Sequence, residues 1–444
     1  MSGLKDRLNR LKSSMSPATL QGNMKPEEEI SEHVAEAREP QHAWMGGEER
    51  WEANAWGTFL VREIRYELNY QHGMYTLGHL TERADALTLQ DREETLHHEQ
   101  MLFFDTETTG LGVGAGNVPF MIGIGYYTES TFIVEQLFIR NPGEETAMLV
   151  YLQDKLQNFT HLVSYNGRTF DWPIVRNRFV MNRLTFQLDH LLHLDLLYPS
   201  RSLWRNTLPS CRLGIVEEER LGIERGHDVP GSMAPALYFE YLATNNASVL
   251  EGVFRHNERD IVTLACLSAH FGGLLKGEVS WERMEAEELY RLGLWYVKYG
   301  LESLAAEAVS KLMSLPVNQC LPYYVPLAES YKKLGQEEKA LQLWQRYIQL
   351  NTKGALQSLE PYIELSMYYE HKRKDFNSAL LYAEEALELM TRRLALTRAD
   401  PKQRAGMKEL QKRAERIRRK QYKQAVSSGW KDAVTEEDYY DRQG

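Results

Sequence analysis

A chain of 444 residues, 43% hydrophobic and 26% charged, exceeds the size at which one core keeps growing and has an ordinary soluble composition, so two domains plus tails are expected. No run approaches a membrane span, the start MSGLKDRLNRLKSS lacks an apolar secretory region, and Cys211, Cys266 and Cys320 are too scattered for a thiolate metal site, so a cytoplasmic protein without a membrane partner is expected. The formal net charge of −10 excludes global attraction to nucleic acid, which must be held by a local patch or through metal ions.

Residues 1–45 mix Lys, Ser and Pro with the acidic run Glu27 to Glu29 and show little periodicity, the texture of a tail. Phe59 to Leu68 and Met74 to Gly78 read as strands split by the turn Gln71-His72-Gly73, a β extension over 46–98 packed on the core that follows. Met101 to Phe104 is then an apolar run short enough for a buried strand, continued by Asp105-Thr106-Glu107-Thr108-Thr109-Gly110. Residues i and i+2 of an extended chain share a face, so Asp105 and Glu107 point the same way. Ionised together they repel, which favours a divalent cation or a shared proton, and oxygen ligands suit magnesium or manganese. A solvated acidic turn after a strand would show the same pattern.

Pro119 to Tyr127 and Phe132 to Ile139, joined by a polar turn, complete an antiparallel three-stranded sheet with that first strand. Glu144 to Asn158 carries Met148, Leu149, Leu152 and Leu156 at helical spacing. A strand at His161 to Tyr165, a helix entered through Phe170-Asp171-Trp172 with Pro173 at its first position, and a short strand near Leu192 to Leu197 follow. The order β-β-β-α-β-α gives a mixed sheet flanked by helices, the ribonuclease-H-like arrangement, over 99–276. Phe254 to Phe271 is its last helix, with His256 and Asp260 one turn apart on one face, and Gly272-Gly273 to Ser280 reads as a linker.

Beyond the linker, Gly300 to Leu315 aligns with Gly335 to Leu350 at a period of 35, and Ala379-Leu380 with Ala340-Leu341 at 39. Each copy follows an aromatic-rich helix, so residues 281–395 resemble tetratricopeptide repeats, an all-α domain suited to a protein partner. The tail 396–444 is first basic, with ten Lys or Arg between Lys402 and Lys423, then acidic from Asp432 to Asp441. The basic part suits a nucleic-acid or partner surface, or a solvated helix.

Four carboxylates, Asp105, Glu107, Asp171 and Asp260, suffice for two divalent ions, and His256 is a candidate base for an attacking water. Read singly, Asp171 also suits a helix cap, His256 a structural histidine and Asp260 a solvated helix acid, while Asp195 is a possible accessory carboxylate. Together, Phe104-Asp105-Thr106-Glu107-Thr108-Thr109-Gly110 resembles the first motif of the DEDD 3′→5′ exonucleases. Tyr165-Asn166-Gly167-Arg168-Thr169-Phe170-Asp171 resembles the second motif in family B DNA polymerases, and His256 to Asp260 stands at the third. With Leu208-Pro209-Ser210-Cys211-Arg212-Leu213 and Asp228-Val229-Pro230-Gly231, the chain resembles the YprB-type ribonuclease-H-like proteins, which carry tetratricopeptide repeats after such a domain.

The resemblance implies a metal-dependent 3′→5′ exonuclease acting on a single-stranded 3′ end with two magnesium or manganese ions. Thr108 and Asn166 are then candidate substrate contacts, Asn166 being equally suited to capping its own turn. The third motif departs from the pattern: His256 has the x3 spacing of the tyrosine subclass, so it is either the base or a residue that orients the water. The alternative is a catalytically weak nucleic-acid-binding or scaffold protein acting through its repeats.

Overall fold

The computed structural model describes residues 47–88, 95–112, 114, 116–226, 228–351, 357–396 and 401–427. The expected tail at 1–45 and the acidic end at 432–441 lie outside the described residues.

Seven strands form one sheet: β1 (Glu48–Asn54), β2 (Gly57–Glu67), β5 (Met101–Thr108), β6 (Pro119–Tyr127), β7 (Thr131–Phe138), β8 (His161–Ser164) and β9 (Leu192–Asp195), in the order β1-β2-β7-β6-β5-β8-β9. A minor hairpin, β3 (Gln71–His72) with β4 (Tyr75–Thr76), stands apart. β5 pairs antiparallel with β6 and parallel with β8, and β8 pairs parallel with β9, so the sheet is mixed. The region before residue 98 differs from the expected packed extension in one respect: β2 pairs along its length with β7, and β1 with β2, so these strands widen the sheet itself. The expected strand at Met74 to Gly78 shrinks to β4, after which Leu77–Leu80 turns into a short 3-10 helix.

β5 is buried on both faces, which is why its apolar run is continuous. Met101 and Phe103 enter a core shared with Ile261, Leu264 and Trp204, whereas Leu102 and Phe104 enter the opposite core with Leu149, Val175 and Phe179. The second core is roofed by α1 (Glu145–Leu156), α2 (Asp171–Met181) and, after α3 (Leu197–Trp204) and the single turn α4 (Leu213–Val216), by α5 (Ala234–Thr244). α2 begins at Asp171, so Pro173 is its third residue and not its first; no N–H is needed from any of the first turn, so either place accommodates proline.

The first core is covered by α6 (Glu251–Lys276), whose residues from Ile261 to Leu274 are all buried. The expected linker at Gly272-Gly273 is therefore helix. Both glycines lie against Arg83, where a Cβ would meet the Arg83 backbone or guanidinium, so close packing and not flexibility accounts for them.

The C-terminal part is all helical: α7 (Ala286–Lys298), α8 (Glu302–Ser314), α9 (Val317–Lys333), α10 (Glu337–Leu350), α11 (Glu360–Tyr368), α12 (Phe376–Leu396) and α13 (Pro401–Ser427). Its first pair does not merely follow the sheet domain. Leu292, Trp295, Tyr296, Ala305 and Ala308 belong to the same buried cluster as α6, and Glu288 accepts the Trp204 indole N–H at 2.7 Å. The basic segment is α13, which buries Leu410, Ala414 and Ile417 against the preceding helices. Arg416 and Lys420 close on the fully buried Glu370 at 2.7 and 2.8 Å, so part of its charge is spent inside the protein.

Candidate metal centre

β8 and β9 end level with each other at Ser164 and Asp195 while β5 runs on to Thr108, so Asp105 and Glu107 stand past the carboxyl ends of its parallel neighbours, where such sheets place their sites. Asp105 and Glu107 lie on the α6 side of β5, and a bulge between Glu107 and Thr108 ends the regular pairing with β6. Asp105 faces Gly123 across the β5/β6 ladder. A Cβ at Gly123 would run into the Asn257 amide, so the glycine admits α6 closely enough for Asn257 Nδ2 to donate to Asp105 Oδ2 at 2.9 Å. Gln136 fixes that amide by donating to Asn257 Oδ1 at 3.0 Å, and Arg62 donates to Gln136 at 2.6 Å.

Asp171 arrives from the opposite side of the sheet at the start of α2, and Thr106, on the other face of β5, donates its hydroxyl to Asp171 Oδ1. Asp260 comes from α6. Burial raises all four carboxyls, Asp171 to about 6. Repulsion from Asp171, Asp260 and Glu107 lifts Asp105 further, and Asp260, Asp171 and Asp228 do the same to Glu107. The four expected carboxylates thus lie within electrostatic reach of one another, with Glu107 and Asp171 only 7% and 5% exposed.

The donor set is oxygen only and strongly anionic, which fits a hard divalent cation. Among the described residues, no three His, Cys, Asp or Glu side chains are drawn up into a closed ligand cage. The carboxylates are instead held apart by donors: Asn257 on Asp105, Thr106 on Asp171, and Arg225, which donates to Asp260 Oδ1 at 2.7 Å.

Arg225 organises the outer wall. It also donates to Asp228 Oδ2 at 3.0 Å and forms an ion pair with the fully buried Glu217, and these partners keep it charged although burial opposes the charge. Burial alone would raise Asp228, but His256 and Arg225 hold its carboxyl below the ordinary value. His256 Nδ1 lies 2.9 Å from Asp228 Oδ2; facing a carboxylate, Nδ1 must carry the proton, which leaves a lone pair on Nε2 in the neutral ring. Nε2 is 3.7 Å from Asp260 Oδ2.

Thr108 and Asn166 are committed locally. Thr108 Oγ1 donates to the Gly110 carbonyl at 2.7 Å, and Asn166, at φ +66°, accepts from Thr169 Oγ1 at 2.9 Å, which is the turn-capping arrangement. Asp195 accepts backbone N–H groups from Asn166, Arg168 and Leu197 at 2.8 to 3.1 Å, so it shapes the loop that delivers Asp171. Residues missed from the sequence are Thr106, Arg225, Asp228 and Asn257. Asp228 carried a signal, a carboxylate ahead of a Pro-Gly turn, whereas Arg225 becomes meaningful only when the chain closes on α6.

Among known proteins, the family model described as RNase_H superfamily matches residues 102–271. The uncharacterized protein YprB of Bacillus subtilis (strain 168) is 34% identical over 353 residues, covering 76% of this chain and 84% of that protein. The structure of the family B DNA polymerase from the hyperthermophilic archaeon Pyrobaculum calidifontis overlaps with a TM-score of 0.33 at 13% identity, over 53% of this chain and 30% of the polymerase. The sheet order, the residues matched by the superfamily model and the extent of the identity to YprB agree, and the chain belongs to the YprB family of ribonuclease-H-like proteins.

Proposed function

We propose that the protein is a metal-dependent 3′→5′ exonuclease that hydrolyses phosphodiester bonds of single-stranded nucleic acid. One observation carries the reading: carboxylates from three separated segments converge, burial raises all four, and Asp171 and Asp260 raise Asp105 and Glu107 further, an unfavourable arrangement unless bound cations neutralise it. Two magnesium or manganese ions on Asp105, Glu107, Asp171 and Asp260 would supply that charge, polarise the phosphate and acidify a water.

His256 accepts the proton of the attacking water at Nε2, because Asp228 keeps the ring proton on Nδ1. Asn257 and Thr106 aim Asp105 and Asp171, and Arg225 holds Asp260 against the Asp228 side of the site. The C-terminal helices, read as tetratricopeptide-like repeats, serve a protein partner. No helix among the described residues is long and apolar enough to cross a membrane.

The test is a 5′-labelled single strand incubated with the full chain and magnesium or manganese, with matched DNA and RNA. The expected result is progressive shortening from the 3′ end that stops with chelator and is abolished in Asp105→Asn and Asp260→Asn. No shortening with either metal, or full activity in those two variants, refutes the proposal.

A further inference from the structure

Resting on that reading, we propose that the groove between α2 and the edge strand β9 is a separate subsite for single-stranded nucleic acid, taking one or two nucleotides upstream of the cleaved end. The groove encloses about 780 Å³ and is lined chiefly by Arg168, Trp172, Arg176, Phe186, Leu192 and His193. That volume lies within the range of roughly 300–1,000 Å³ usual for ligand pockets. It adjoins the acidic cluster through the chain, because Trp172 follows Asp171 in α2 and Arg168 stands in the loop leading into that helix.

The cations of α2 are sorted by face. Arg178 turns toward α1 and is held by Glu145, with Nη2 to Oε2 at 2.6 Å. Arg176, two residues earlier and on the other side of the helix, pairs with no acidic side chain among the described residues, and neither does the Arg168 guanidinium. Arg168 spends only its backbone N–H on Asp195. In a chain of net charge −10, two exposed guanidinium groups left without carboxylates beside an anionic catalytic cluster call for an anionic ligand.

Aromatic faces in the same groove narrow its class. The Arg176 guanidinium carbon lies 5.2 Å from the Phe186 ring centroid, and Trp172 meets Phe186 and His193 edge-on at 5.6 and 6.2 Å. Burial lowers His193 to about 4, so it offers a neutral ring and not a third cation. Val180, at the far end of the helix, is 72% exposed and extends an apolar floor. Fork-shaped cations beside aromatic rings fit phosphates alternating with unstacked bases, whereas a duplex keeps its bases inside.

The experiment is binding of fluorescent oligothymidylate and oligouridylate, about 20 nucleotides long, to the full chain in chelator over a range of salt. Arg168→Ala with Arg176→Ala should weaken binding about tenfold and flatten the logarithmic salt slope by about 1.4, or 0.7 for each lost phosphate contact. Both side chains are exposed, so the variant should melt with the wild type. Arg168→Lys with Arg176→Lys should keep the slope, and Phe186→Leu should lose affinity without changing it. The proposal is overturned if the wild type does not bind, if affinity and slope ignore both arginines, or if polyglutamate of equal charge displaces the strand equally well, which would assign the groove to an acidic protein segment. Arginine-dependent binding by a protein that shortens no strand sinks the nuclease reading and leaves the groove standing; cleavage with arginine-independent binding does the reverse.

Discussion

Replacing Asp171 by Asn should stabilise the metal-free protein. The carboxyl is buried at the head of α2 and is carried from its ordinary 3.8 to about 6. Ionising it in the folded chain at neutral pH therefore costs about 3 kcal/mol more than in the unfolded chain, at 1.36 kcal/mol for each unit of pKa. Because the folded value is the raised one, the contribution favours folding below the unfolded value and is lost as pH rises through 6. Asparagine keeps an oxygen for the Thr106 hydroxyl and carries no charge. Urea unfolding in chelator at pH 8 should show Asp171→Asn more stable by up to about 3 kcal/mol, with the difference closing toward pH 4. Magnesium should stabilise the wild type and not the variant. Equal or lower stability of Asp171→Asn at pH 8, with the pH dependence intact, would refute the argument that burying the Asp171 charge strains the metal-free fold.

Other expectations follow from contacts already described. His256→Ala should lower kcat by a factor of about 10² to 10⁴ without weakening metal binding measured by calorimetry, and His256→Tyr should keep more activity than the alanine variant; a harmless alanine variant would make His256 structural. Arg225→Ala strands the buried Glu217, so a loss of about 3–5 kcal/mol in chemical denaturation is expected, and a change under 1 kcal/mol would count against the pairing. Arg416 and Lys420 hold Glu370 down at about 2, against the burial that would raise it; this depressed carboxyl stabilises above its unfolded value of 4.5 and the gain fades as pH falls toward 2. Glu370→Gln should therefore expose α13 to trypsin at neutral pH, and unchanged cleavage would sink the claim. A chain ending at Gly277 uncovers Trp204 and loses the burial of Leu292, Trp295 and Tyr296, about 1.5–3 kcal/mol each, so it should melt well below a chain ending after Leu315; equal melting points would show the shared core to be dispensable.

The central strands were legible because their signals are local. Pro119–Tyr127 and Thr131–Phe138 are apolar runs around a polar turn, and strand parity put Asp105 and Glu107 on one face. That Asp171 and Asp260 come to lie beside them followed from element order. β1 escaped notice because EERWEAN has no apolar run; it pairs with β2 by backbone, and Arg50 is met by Glu63. Gly272-Gly273 misled because intrinsic preference predicts a break, while the close approach of Arg83 demands glycine inside a helix. The roles of Arg225 and Asn257 depend on contacts between distant segments that no spacing announces, whereas Asp228 stood in a legible turn but without its partner His256. The basic stretch showed its charge but not its destination, since nothing before it in the chain marks Glu370 as the acid it would close upon.

The helix α6 is a beam clamped at both ends. One clamp is the fourteen-residue stretch from Ile261 to Leu274, buried all round; the other is Val253, Phe254 and Asn257, which lie beside His256 and Asp260. Leu274 and Asp260 are separated by roughly 21 Å of helix at 1.5 Å per residue, so a tilt of about 3° at the far clamp moves the acidic end by about 1 Å. An error of that size is enough to cost a catalyst about a hundredfold. The packing of Trp295 and Tyr296 against the far clamp therefore contributes to the aim of side chains that it never touches.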